Sequence, residues 1–125
     1  MEYTQLGKTG ITVSRMCFGA LIIGPLQVNL PVADGARVIR AALDRGVNFI
    51  DTAELYGTYD HIREASRGMD KKPVVATKCY AWNKEEAAKS VEDARKGLDI
   101  DVIDIFMMHE QESKLTLRGH REALE

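Results

Sequence analysis

Residues 48–57 read NFIDTAELYG, and the placement of Asp51 and Tyr56 in that stretch decides how the chain is organised. Val47, Phe49 and Ile50 form a short apolar run, a carboxylate follows at once, and Tyr56 stands shortly after it, just before Gly57. Strands of a parallel sheet covered on both faces read as near-continuous apolar runs, so an ionisable group directly behind one marks where the chain leaves the core. The pattern recurs twice: PVVATK, residues 73–78, ends in Lys78, and VIDIFMMH, residues 102–109, ends in His109.

Helical patterns separate these runs. Val32 to Arg45 carries Val32, Ala36, Ile39 and Leu43 on one stripe, with Pro31 ahead of it and Gly46 behind. A shorter helix is expected over Tyr59 to Ser66. Asn83 to Leu98 follows as an amphipathic helix, with Asn83 suited to the N-cap, Glu85 and Glu86 to the positive end, and Ala87, Val91, Ala94 and Leu98 forming the apolar stripe. Thr116 to Glu125 begins another. Upstream, Tyr3 to Leu6 and Ile11 to Ser14 flank the turn GKTG, residues 7–10, and predict a β-hairpin. Met16 to Leu21 is expected to be a buried strand within the apolar stretch MCFGALIIGPL, residues 16–26, read as core.

Strands alternating with helices predict an α/β fold around a parallel sheet. A doubly wound sheet usually carries a glycine-rich phosphate loop after its first strand, and FGALIIGPL, residues 18–26, does not fit Gly-x-Gly-x-x-Gly. The other solution is a (β/α)8 barrel, which takes about 250 residues. A 125-residue chain with a hairpin and about four βα units is then half of one TIM barrel: a single, truncated domain over residues 1–125. Its two open strand edges would invite pairing into a homo-oligomer.

Composition narrows the function classes. With 17 basic and 19 acidic residues and no block of like charge, the chain has no electrostatic footprint for nucleic acid and nothing that suits a membrane surface. Cys17 and Cys79 are far apart with no Cys-x-x-Cys or neighbouring histidine, so neither a metal site nor a disulfide framework is expected, and a reducing, cytoplasmic setting is the default.

Aligning the strands places Asp51, Lys78 and His109 at one rim, the end of a parallel barrel where catalytic groups gather, with Tyr56 in a loop able to lean over it. Each residue alone has an ordinary structural role: Asp51 could cap a turn, Lys78 could extend along the surface into solvent, His109 could be a hydrogen-bonded structural histidine, and Tyr56 could pack a loop. Their convergence favours function. His61 and His120 fall on helices among charged residues, where solvation accounts for them. Tyr59, Tyr80 and Trp82 follow strands at the same rim and either line a substrate pocket or pack loops. Cys79, beside Lys78, reads as a small apolar filler, since no base is paired with it.

With these residues in place the chain resembles the N-terminal half of an aldo-keto reductase. The resemblance is carried by LGKTGITVSRMCFG (6–19), NFIDTAELYG (48–57), VVATK (74–78) and DIDVIDIFMMHE (99–110), and spans essentially the whole sequence. It implies a (β/α)8 barrel that uses NADPH, less often NADH, to reduce a small carbonyl substrate, an aldehyde or ketone. It also implies a catalytic tetrad at Asp51, Tyr56, Lys78 and His109. Most cofactor contacts would come from the other half of the barrel, so this chain is expected to be inactive alone. YGTYDHIREA (56–65) and MMHEQES (107–113) are most similar to a bacterial branch, some of whose members carry an iron-sulfur C-terminal extension.

The chemistry follows from the residue types as well. Hydride delivered to a carbonyl carbon leaves charge on oxygen, which needs a proton donor within hydrogen-bond reach, and a phenol beside an ammonium is suited to that task. A carboxylate keeps the ammonium charged and aimed, and an imidazole can bond the carbonyl oxygen. Two other classes are open: a Schiff-base lyase of aldolase type using Lys78, and a non-catalytic half-barrel that binds or assembles.

Overall fold

The computed structural model describes residues 1–110 and 121–124. Gly7 and Gly10 take positive φ, 57° and 77°, and so turn the chain between β1 (Tyr3–Gln5) and β2 (Thr12–Ser14), which pair antiparallel with Tyr3 opposite Ser14. The hairpin is tied to the body of the fold by Tyr3, whose hydroxyl donates to the Gly46 carbonyl at 2.8 Å, and by the Ser14 N–H, which donates to Asn48 Oδ1 at 2.6 Å.

Four parallel strands then lie side by side in chain order: β3 (Phe18–Gly19), β4 (Phe49–Asp51), β5 (Val74–Cys79) and β6 (Ile105–Met108). Helices α1 (Val32–Asp44), α2 (Tyr59–Ala65) and α3 (Lys84–Leu98) alternate with them, and α4 (Arg121–Leu124) follows. This is the predicted α/β architecture. Phe18 pairs with Ile50, Ile50 with Val75, and Thr77 with Phe106. Because side chains alternate along a strand, Ile50 and Val75 turn toward the helices and join Ile39, Leu43, Ile62 and Leu98 in the main core, while Asp51 and Lys78 turn to the opposite face. Cys79 is fully buried with Ala81 and Ala87 in a second cluster, as expected of a filler residue.

Helix ends follow local chemistry. Asn83 caps α3 through its side chain, which accepts from the Glu86 N–H at 2.9 Å, and the Glu86 carboxylate accepts from the Trp82 N–H at 2.9 Å. The apolar stripe of α1 is buried at Ala36, Ile39 and Leu43, but its first member, Val32, is exposed.

The segment after the hairpin departs from expectation. Only Phe18–Gly19 is strand, and the chain then tightens into a 3-10 helix, Ala20–Ile23. Ala20 and Ile23, one turn apart, are buried, whereas Met16, Ile22 and Leu26 face solvent. An uninterrupted apolar run conceals that change of period, because a strand and a short buried helix read alike. His61 is also unlike its reading as a solvated helix residue: it is 5% exposed, lies between α2 and α1, and Nε2 sits 3.0 Å from the Leu30 carbonyl. Of the helix expected over 116–125, the described part is α4, and His120 lies outside the described residues. Among the described residues, no helix is long and apolar enough to cross a membrane.

Gly35, inside α1, makes the His61 contact possible, since a Cβ there would stand 2.4 Å from the imidazole Cδ2 and 3.2 Å from Ile23 Cδ1. Alanine in a helix interior normally gains about 1 kcal/mol over glycine. Here the clash reverses the sign: Gly35→Ala is expected to destabilise the fold by roughly 1–3 kcal/mol, read as a lowered urea midpoint at unchanged m-value. A raised midpoint would refute the packing.

Candidate active site at the strand rim

β4 and β5 deliver two of the rim residues from rigid backbone. Asp51 pairs with Ala76 and Lys78 with Met107, so the lysine lies further along the sheet and its long side chain returns across the strand. Lys78 Nζ donates to Asp51 Oδ1 at 2.7 Å and to the Thr52 carbonyl at 2.6 Å. The lysine side chain is 14% exposed and the carboxylate 39%. A charge this far removed from water requires a partner, and Asp51 supplies it.

Tyr56 reaches the same place from a loop. The 3-10 turn Glu54–Tyr56 is closed by Tyr56 N–H donating to the Ala53 carbonyl at 3.0 Å, and Gly57 ends it at φ 63°. The phenol ring then lies with its centroid 5.2 Å from Lys78 Nζ, within the range where a cation is attracted to an aromatic face. His109 follows β6 immediately and is held by its N–H donating to the Cys79 carbonyl at 2.8 Å. Its ring meets Tyr56 edge-on, centroids 5.7 Å apart at 75°. Asp51, Tyr56, Lys78 and His109 are therefore brought together, with both Lys78 and His109 in contact range of the phenol ring.

The aromatic residues behave differently from one another. Tyr80 stacks on His109, centroids 4.6 Å apart and planes within 19°, so it belongs to the rim. Trp82 is 54% exposed at the start of α3. Tyr59 serves packing: its hydroxyl is 2.8 Å from Thr77 Oγ1, and its ring lies on Gly97 of α3, where a Cβ would come within 2.9 Å. Burial accordingly pushes the Tyr59 phenol above its ordinary range.

Cys17 belongs to the rim's electrostatics although its sequence context gave no sign of it. Phe18 pairs with Ile50 and faces the helices, so Cys17, one residue earlier, turns to the Asp51 side. Partial burial raises the thiol pKa, the Asp51 carboxylate raises it further, and the Asp51 backbone N–H and the Lys78 ammonium pull it down. Strand register is the signal that would have found it. His109 Nδ1 is buried and has no hydrogen-bond partner among the described residues. No group of three His, Cys, Asp or Glu among those residues could hold a metal ion.

Residues 15–125 match the Aldo/keto reductase family. The chain is 29% identical to 6-dehydroglucose reductase of Novosphingobium aromaticivorans, with 86% of this chain matched to 41% of that protein. It is 30% identical to L-galactose dehydrogenase of Arabidopsis thaliana, with 90% of this chain matched to 39% of the relative. It thus spans about two fifths of these curated relatives. Among solved structures, a thermostable aldo-keto reductase in complex with the inhibitor epalrestat superposes with a TM-score of 0.78 at 26% identity, covering 99% of this chain and 50% of that one. A sheet of four parallel strands in chain order behind a hairpin, with a family match over nearly its whole length, makes this chain a member of the aldo-keto reductase family.

Proposed function

We propose that this chain forms the proton-donating half of a barrel that reduces an aldehyde or ketone to an alcohol, with NADPH, or alternatively NADH, as the hydride source. The observation that carries the reading is the Lys78 ammonium, fixed between the Asp51 carboxylate and the face of Tyr56. The donor set fits such a cofactor by its chemistry: phenol, imidazole and ammonium can give protons or hydrogen bonds, and none can give hydride. A reduced nicotinamide, when bound, supplies hydride to the carbonyl carbon.

The chain's own residues do the rest. Charge developing on the substrate oxygen is quenched by the Tyr56 hydroxyl proton, and the nearby ammonium stabilises the phenolate left behind. Asp51 and the Thr52 carbonyl hold that ammonium in place. His109, whose ring meets Tyr56 edge-on, orients the carbonyl oxygen by a hydrogen bond. Tyr80, stacked on His109, and Trp82 line the substrate's approach. A Schiff-base role for Lys78 is less well supported, since its Nζ is engaged by the Asp51 carboxylate and the Thr52 carbonyl and is not directed at an incoming carbonyl.

The 125-residue chain alone is expected to turn over no carbonyl substrate, because it spans about two fifths of its relatives' length and the proposed cofactor contacts would need the remainder of such a barrel. In a complete barrel carrying this half, Tyr56→Phe is expected to lower kcat by roughly 10²–10⁴-fold, while the Kd for NADPH stays within about twofold of the parent. Equal turnover in the two proteins would refute the role of Tyr56. The rim's electrostatics can be tested without turnover. Cys17 is expected to alkylate at pH 8 more slowly than a free thiol of pKa about 8.5, and Asp51→Asn to accelerate it, whereas Lys78→Met slows it. Cys79 is fully buried and does not compete. Alkylation indifferent to both substitutions would show that Cys17 does not sense this ion pair.

A further inference from the structure

Thr58 occupies the N-cap position of α2, where a threonine hydroxyl ordinarily accepts a hydrogen bond from the N–H two or three residues on. It makes no such bond. Its Oγ1 instead lies 2.8 Å from Thr52 Oγ1, and both residues are completely buried. The helix start gives up a cap so that two hydroxyls can meet in the interior. Thr52 and Thr58 bracket the loop that carries Tyr56, so their bond closes that loop at its base.

Thr52 is constrained on every polar atom. Its N–H donates to the Ala76 carbonyl of β5 at 2.8 Å, its carbonyl accepts from Lys78 Nζ at 2.6 Å, and its hydroxyl meets Thr58. The other wall of the loop is as closely fitted, since a Cβ on Gly24 would come within 2.5 Å of the Tyr56 carbonyl and 2.6 Å of Thr58 Cγ2. We infer that Thr58 is a positioning residue: its buried bond to Thr52 sets the loop bearing Tyr56 in register with the Lys78 ammonium. The inference rests on the reading of Tyr56 and Lys78 as the proton-donating pair.

The test uses the full chain with isotope-labelled lysine, reading proton exchange at each side-chain ammonium by NMR. In the parent chain Lys78 is expected to exchange more slowly than the exposed Lys8 and Lys84. Thr58→Val, which keeps the shape and removes the hydroxyl, should accelerate Lys78 exchange by roughly tenfold, the population change that one lost buried hydrogen bond produces. Thr58→Ser restores the hydroxyl and should stay within about twofold of the parent. Ser66→Ala, which deletes a buried hydroxyl that donates to the Arg63 carbonyl at 3.3 Å, is the control: it should lower stability without moving Lys78 exchange. Unchanged Lys78 exchange in Thr58→Val overturns the inference and leaves the ion pair standing. Fast exchange at Lys78 in the parent overturns the ion pair itself, and the inference with it. Should Thr58→Val fail to fold, Thr52→Val removes the same bond from its other end, and slow Lys78 exchange there overturns the inference equally.

Discussion

An ammonium group held mostly out of water is the constraint around which this chain is arranged. Lys78 stands near the end of β5, its side chain mostly shielded from water, and without a partner its charge would oppose burial. Asp51 answers that need from the adjacent strand, and the Thr52 carbonyl adds a second acceptor. Removing either member of such a pair costs more than the pair contributes, because the survivor is left desolvated. The exposure of the Asp51 carboxylate tempers that cost, and it also leaves the pair open to the rim.

The parallel sheet makes this possible at little conformational expense. Asp51 and Lys78 project from hydrogen-bonded strands, and His109 is the first residue beyond one, so three side chains stand on or beside hydrogen-bonded strand backbone. Alternation along the strands separates duties: Ile50, Val75 and Cys79 meet the helices while Asp51 and Lys78 occupy the other face. The apolar core and the polar rim thus use opposite sides of the same backbone. Tyr56 is the exception, since its position depends on a 3-10 turn, on Gly57 at positive φ, and on the close approach of Gly24.

What the sequence disclosed and what it hid follow from that division. The strand ends at Asp51, Lys78 and His109 were legible because each apolar run stops at one ionisable group, a change in composition visible residue by residue. α3 was legible for the same reason, its cap and stripe being local features. Ala20–Ile23 was not, since an apolar run without polar punctuation carries no period. His61 was misread because its neighbours in the chain are charged, whereas its surroundings are set by Gly35 on another helix. Cys17 and the Thr52–Thr58 bond were hidden by the same rule: they are pairings across strands and loops, and a single sequence records neither register nor which hydroxyl faces inward.

On the proposed function, carbonyl reduction makes two separate demands. Proton delivery needs a charge and a phenol at fixed separation, which on that proposal Lys78, on β5, and Tyr56, in the turn after β4, would supply. Hydride delivery needs a large cofactor held in one orientation, which calls for many contacts to its phosphates and ring, and the described residues present no glycine-rich cradle of that kind: the segment after β3 is a 3-10 turn packed against the Tyr56 loop. A proton-donating half of that kind would have to be rigid without help from ligand contacts. A buried threonine pair beneath the loop of the acid is a fitting means to that end, because it confers order without adding charge to a site whose charge is already set.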